Sequence, residues 1–564
     1  MFHASAVRWR KSLTITAILC FFTGIGTTQN LQIGSSNTVT ADPPVPRPDA
    51  KPCIVSLFAG LQFVNFNIPT YQYTPPSGCP APWQKVVFTA DFSVTAGRQF
   101  DRTAIVDMGF VNIYFGTTAE PRQNLAPSWH VERDVTDYSA LFTDPQSGSV
   151  ILGNIVNSTY TGIISGSAAL EFYPAGEHGS SRRVADGVVP LRQSNASGGF
   201  NEPALLFTST DQLASTLILP SNVERAYLDV ITQSQIGDEF WYTCVPNDVT
   251  TELQSCGNTA LREGEVSIDG QPAGVAPVYP WIYTGGVDPF FWEPIPGVQT
   301  MNFVPYRVDL TPFAGILSNG QRHTVALSVF NANNYFSATA TLLLFLDHGS
   351  TQVTGAVTKN TLGSGPSPAV NENLTTDASG DVSGSVTTSS LRSFRVAGYV
   401  NTSHGRVNTD IRQKVNFNNV QNFTINATTY TQSITQNTQI QSTVTTNDGR
   451  EPGVVREFFT YPLTLNYTLT FNADGSITQN GLVSQKLDHD FVSPLRASRV
   501  RNVVRSVDVL DLNSSFQITG NSGQHSSQSY NSFDSEGGAY NCILKAKNNA
   551  LTFASEGCGA PENH

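Results

Sequence analysis

Leu463, Leu465, Tyr467, Leu469 and Phe471 alternate strictly with polar residues, and Asn472-Ala473-Asp474-Gly475 follows as a turn. A period of two marks a strand with one face against a core. The same alternation runs through Val415 and Phe417, then Phe423 and Ile425, with Asn and Thr on the other face. Residues 391–564 are therefore expected to form an antiparallel β domain with one apolar face, in which nothing looks catalytic. Upstream, Lys85 to Val94 and Thr103 to Met108 also read as strands. No extended stretch after the N-terminus has helical apolar spacing, so the fold class is all-β.

An internal resemblance organises the part before that domain. Asp134-Val135-Thr136-Asp137-Tyr138-Ser139-Ala140-Leu141-Phe142 matches Asp309-Leu310-Thr311-Pro312-Phe313-Ala314-Gly315-Ile316-Leu317 in residue type at most positions. Each copy precedes a glycine turn (Gly148, Gly320) and two apolar strands, and the leading Thr reads as the start of a short capped helical turn. Order and spacing agree as well as the motif, which points to a duplication. Two antiparallel β-sandwiches of similar plan are expected, over 51–200 and 201–348. A Pro-rich lead-in at 29–50 and a Gly/Ser/Thr-rich stretch at 349–390 read as linkers.

The N-terminus reads as a targeting segment. Arg8, Arg10 and Lys11 precede the apolar run Leu13 to Gly26, too short for a comfortable membrane span and followed by small residues. A cleavable signal over 1–28 is expected, and with it a secreted, extracellular or cell-wall location free of membrane. Of the seven Cys, Cys20 would leave with the signal. The remaining six fall into close sequence pairs, Cys53 with Cys79, Cys244 with Cys256 and Cys542 with Cys558, among fifteen formal connectivities. Sequons at Asn157, Asn195, Asn373, Asn401, Asn422, Asn426, Asn466 and Asn513 fit the same compartment. The net charge of −12 without a basic patch argues against a nucleic-acid partner.

Only 13% of residues are charged, which makes local charge clusters informative. Gly97-Arg98-Gln99-Phe100-Asp101-Arg102 and Glu120-Pro121-Arg122 set carboxylates and guanidinium groups at strand ends, where loops present function. A plain turn-holding ion pair is the alternative reading of Asp101. Asp238 with Glu239, and Arg262 with Glu263, are further candidates, beside a crowd of rings that includes Trp241, Tyr283 and Trp292. Such rings can offer flat faces to sugars, or simply fill a core. No nucleophile elbow, Walker loop or dinucleotide fingerprint occurs, and the nine His show no metal-ligand spacing. Carboxylates and water would therefore do any hydrolytic work, with neither metal nor cofactor.

Taken in combination, several of these pieces resemble the acidic peptide-N-glycanases of plants and fungi, the PNGase A type. They are Tyr73-Thr74-Pro75-Pro76-Ser77-Gly78-Cys79-Pro80, Gly97 to Arg102, Thr117 to Arg122, Asp134-Val135-Thr136, Phe240-Trp241-Tyr242, Tyr283-Thr284-Gly285-Gly286 and Val396 to Gly405. A more distant resemblance is to the bacterial PNGase F type, in which the catalytic Asp sits in a Trp-Asp-Arg tripeptide that Phe100-Asp101-Arg102 is similar to. That resemblance implies two tandem jelly-roll-like sandwiches ahead of the third domain. It also implies Asp101 as the catalytic carboxylate with Arg102 as its partner. The bacterial type's two supporting glutamates fall near Asn154 and Asn258, so Glu120 and Glu263 are expected in their place. Arg122, Trp241, Arg262, Tyr283 and Trp292 are expected to bind substrate. Glu293 follows Trp292 where the PNGase A type carries Arg, which implies a different contact between that loop and glycan. The implied substrate is an N-glycopeptide or N-glycoprotein. An endoglycosidase and a non-catalytic lectin-like wall protein are the competing readings.

Overall fold

A computed structural model describes residues 31–120, 122–176, 183–195, 200–201, 203–449 and 452–559. The expected signal over 1–28 lies outside them. Two sandwich units and one large sheet make up the described chain, and every strand pairing between named strands is antiparallel.

The first unit holds eight strands: Cys53–Phe63, Thr70–Tyr73, Trp83–Val94, Thr103–Met108, Val111–Thr117, Ser128–Asp134, Gln146–Ile151 and Ile164–Pro174. Counted from one to eight, they form two four-stranded sheets in the orders 1-8-3-6 and 2-7-4-5. The second unit repeats that order with Ala204–Leu206, Leu213–Ile218, Val223–Gln235, Glu263–Ile268, Gln271–Pro277, Tyr306–Asp309, Arg322–Phe330 and Tyr335–Leu346. Gly187–Pro190 adds an edge to the second unit, pairing with Tyr335–Leu346, so the chain crosses between units before 201.

The matched motifs occupy the same place in each unit, a short helical turn between strands six and seven. Asp134 Oδ1 accepts from Thr136 N at 3.0 Å, and Asp309 Oδ1 accepts from Thr311 N at 2.9 Å. In each case a short polar side chain takes a main-chain donor that the turn leaves unpaired. Val135 N reaches Val86 O at 3.0 Å and Leu310 N reaches Ala226 O at 2.9 Å, so both turns dock on the third strand of their own unit.

The C-terminal domain is one twelve-stranded sheet with unusually long strands, among them Val382–Thr402, Gly405–Asn426 and Thr429–Asn447. The stretch read as a 349–390 linker contributes Thr354–Asn360 and Ala369–Thr376 to this sheet, both paired to Val382–Thr402. Its Thr and Val provide β propensity that the surrounding Gly and Ser disguise. The Pro-rich lead-in is packed rather than free. Val39 and Ala41 are buried, Ala41 N donates to Gln528 of the large sheet, and Arg47 pairs with Glu132 and Glu171 of the first unit.

The disulfides are Cys53–Cys79, Cys244–Cys256 and Cys542–Cys558, with Cα separations of 6.2, 4.5 and 4.7 Å. Each closes a short local loop.

The second unit and the large sheet share one core, and a buried ion pair lies beside it. Arg262 and Asp238 have no exposed side-chain surface and meet at 2.8 Å. Asp238 also accepts Asn333 N and Asn334 N at 2.7 and 2.8 Å. Removing one member of such a pair strands the other charge in a medium that solvates it poorly. Arg262→Ala is expected to lower unfolding stability by about 3–5 kcal/mol, read as a fall in the urea or thermal midpoint.

Candidate active site

The two units contribute corresponding loops. In each, the connection between strands three and four and the connection between strands five and six run to the same place. From the first unit these carry Asp101 and Glu120; from the second they carry Glu239 and Gly285.

The Asp101 loop is held rigidly. Gly97 lies at φ 148°, and a Cβ there would run into Thr161 and Gly162, so only glycine lets the loop close on its neighbour. Gln99 is buried; its amide nitrogen donates to Ile155 O and Gly162 O at 2.8 and 3.1 Å. Its carbonyl oxygen accepts Phe100 N at 3.0 Å and an Arg102 guanidinium N–H at 2.6 Å. Main-chain and side-chain bonds between Arg102 and Thr118, both 2.8 Å, tie the two loops of the first unit together.

Three carboxyls converge here. Asp101 accepts the Gly285 N–H, and Glu120 accepts the Asp101 N–H. A Cβ on Gly285 would collide with Glu120 Oε2 and stand 2.7 Å from Asp101 Oδ1, so the bare glycine is what allows both carboxyls to approach. Thr284 fixes that glycine by donating to Thr118 O at 2.8 Å. Burial pushes the Asp101 carboxyl up to about 6, against the opposing pull of Gly285 N–H and Arg102. Glu120 is driven well above its usual range by burial and by the Asp101 charge. Burial and the same charge push Glu239 up to about 8. Like charges crowded in a poorly solvated site cannot all ionise, so the cluster keeps protons at neutral pH.

Glu239 is reached through a strained turn. Ile236, a β-branched residue 67% exposed, sits at φ 47°, in the left-handed region such residues avoid. Strain of that kind collects at functional sites. Beside the carboxyls lie two ring pairs, each an exposed Phe against a half-buried Tyr: Phe100 with Tyr160 at 5.3 Å, flanked by the Arg98 guanidinium, and Phe207 with Tyr335 at 5.6 Å, the latter near Glu239.

Of the residues expected from sequence, Asp101, Arg102 and Glu120 are brought together. Glu263 is engaged elsewhere, against Arg392 of the C-terminal sheet and close to Glu265. Arg262 is consumed by Asp238. Trp241, Tyr283 and Trp292 have 0%, 3% and 2% of their surface exposed, so they pack the core and offer no open face to a sugar. Arg122 stacks on Phe290, and its Nε bonds both oxygens of Glu293 at 2.7 and 2.6 Å. Asn154 is buried and donates to Phe63 O at 3.0 Å. Asn258 lies in a loop at φ 65° and takes part in hydrogen bonds with Asn247. Sequence reasoning noticed Glu239 without separating it from Asp238. The available signal was position: it follows the third strand of its unit, as Asp101 does in the first.

Residues 52–362 match the family described as Peptide N-acetyl-beta-D-glucosaminyl asparaginase amidase A, and residues 385–463 match the PNGase_A C-terminal domain. The chain is 32% identical over 396 residues to peptide-N4-(N-acetyl-beta-glucosaminyl)asparagine amidase A of Prunus dulcis, covering 67% of each. Among solved structures, PNGF-II aligns at TM-score 0.38 and 13% identity over 53% of this chain and 66% of that one. PNGase F, a glycosylasparaginase from Flavobacterium meningosepticum, aligns at 0.35 and 15% over 52% and 96%. The sequence matches settle the family: this chain belongs to the peptide N-acetyl-beta-D-glucosaminyl asparaginase amidase A family.

Proposed function

We propose that this protein hydrolyses the amide between an asparagine side chain and the first N-acetylglucosamine of an N-glycan. The approach of Asp101 and Glu120 to Gly285, with Glu239 near enough to feel the Asp101 charge, carries this reading together with the family. Water adds to the side-chain carbonyl, the C–N bond breaks, the nitrogen leaves as a glycosylamine and the peptide keeps Asp.

An unstrained amide needs an activated water, a stabilised oxyanion and a proton for the departing nitrogen. Asp101, the carboxyl of the three that ionises most readily, orients and deprotonates the water. Arg102, fixed by Gln99, faces the negative charge that develops on the carbonyl oxygen. Glu239 enters from the other unit with its proton retained to about pH 8 and delivers it to nitrogen. Glu120 stays neutral and anchors the Asp101 main chain. The two ring pairs suit the flat faces of the glycan's sugars on its side of the scissile bond.

The same reading takes the chain as a secreted glycoprotein. Support comes from the three disulfides and from the sequon asparagines, all of which are exposed or half-buried.

An N-glycopeptide treated in ¹⁸O-water should show Asn converted to Asp with one heavy oxygen. Asp101→Asn should reduce the rate on the order of 10²-fold or more. A peptide left carrying one N-acetylglucosamine would instead make the protein an endoglycosidase, and binding without cleavage would make it a lectin. The pH dependence follows from the two shifted groups. Activity requires Asp101 ionised, so kcat/KM falls as pH drops through about 6. It requires Glu239 protonated, so kcat/KM falls again as pH rises through about 8. Glu239→Gln should lower the plateau by about 10²-fold and make the alkaline limb shallower, measured as a kcat/KM profile from pH 4 to 10.

A further inference from the structure

Between the second unit and the C-terminal sheet lies a pair of carboxyls that the hydrolytic step does not use. Asp288 has no exposed surface and opens the helical turn Pro289–Trp292, where its Oδ1 accepts Phe290 N at 2.9 Å. Its own N–H donates to Gly286 O at 2.7 Å, beside Gly285 in the catalytic loop. Asp508, in strand Ala497–Leu512, is 3% exposed, and its Oδ1 accepts Asn521 Nδ2 at 3.0 Å. The two side chains lie within hydrogen-bonding reach of each other. Neither Oδ2 has another partner. As two carboxylates they would repel; with one proton between them they hold the sheet to the loop.

We propose that Asp508 is a positioning residue for the hydrolytic site: through a proton shared with Asp288 it fixes the loop whose Gly285 N–H is donated to Asp101. The proposal rests on the amidase reading for its activity readout, though not for its structural one. The C-terminal sheet grips the same loop at neighbouring points. Gln479 donates to Val287 O at 3.1 Å and Gln524 to Glu293 O at 3.0 Å. Phe290 packs with Ile477, Leu510 and Leu512 of the sheet. The charged groups facing the pair are Arg122, whose cation favours ionisation of both Asp288 and Asp508, and Glu293, which Arg122 neutralises. Burial and the neighbouring carboxyl push Asp288 up to about 8, and burial raises Asp508, so the shared proton is present at neutral pH and leaves as pH rises through about 8.

The test compares the full chain with D508A and D508N. Two quantities are read: the kcat/KM profile on an N-glycopeptide, and amide hydrogen exchange of residues 283–293 at pH 6. D508A is expected to lower kcat about tenfold to a hundredfold. It should also move the acid limb up by about half a pH unit, because Asp101 loses its donated N–H, and exchange over 283–293 should accelerate. The D508N amide donates to Asp288 without needing a proton, so it should restore the rate, the limb and the protection. If D508A does not fold, Gln479→Ala tests the same grip with the same signs. A D508A protein with a lowered melting temperature but an unmoved limb and unchanged exchange overturns the proposal. So does a D508N protein that behaves as D508A. A wild-type chain without amidase activity refutes the proposed function instead, and leaves the exchange comparison to decide on Asp508.

Discussion

Main-chain groups buried outside a ladder must find hydrogen-bond partners, at a cost of about 1–3 kcal/mol for each one left unmet. Residues 278–298 are almost wholly buried yet contain no strand. Some of their main-chain groups pair within the loop, and amide side chains of the C-terminal sheet take others. Gln485 donates to Pro280 O and accepts Val298 N, while Gln479 and Gln524 take the carbonyls of Val287 and Glu293. The loop around Trp241 is treated alike, with Asn419, Gln421 and Gln432 bonded to the carbonyls of Tyr242, Cys244 and Thr243. The large sheet thus stands in for part of the missing ladder, and the loops that carry Glu239 and Gly285 lean on it.

Much of the architecture was legible because it obeys short-range rules. Strict alternation marked Leu463–Phe471 as a strand, and the matched Asp-x-Thr turns revealed a duplication that the strand order repeats in full. The face that alternation called apolar is of mixed character. Asn419 and Gln421 are in phase with Val415, Phe417, Phe423 and Ile425 and are as buried as they are. An amide in a strand reads as a solvent-facing residue unless one knows that a coil lies against it.

The site was legible where its parts are close in sequence and opaque where they are not. Asp101, Arg102 and Glu120 sit on loops joined by one strand pair, so spacing alone gathers them. Asp238 and Glu239 are adjacent, but a helical turn sends one to Arg262 and the other toward Asp101, a split no spacing rule reveals. The rings of 281–292 look like a sugar platform because they crowd one loop. They are core because a domain two hundred residues later covers them, and such burial is not a local property.

Corresponding loops of the two repeated units meet at a single place. In an assembly of identical copies, whatever one loop carries its counterpart must carry too. Joining the copies in one polypeptide lifts that obligation. The corresponding connection holds an aspartate with an arginine neighbour in one unit, and a glutamate that keeps its proton to higher pH in the other. On the proposed mechanism, base and acid come from different units, a division of labour that symmetry would forbid.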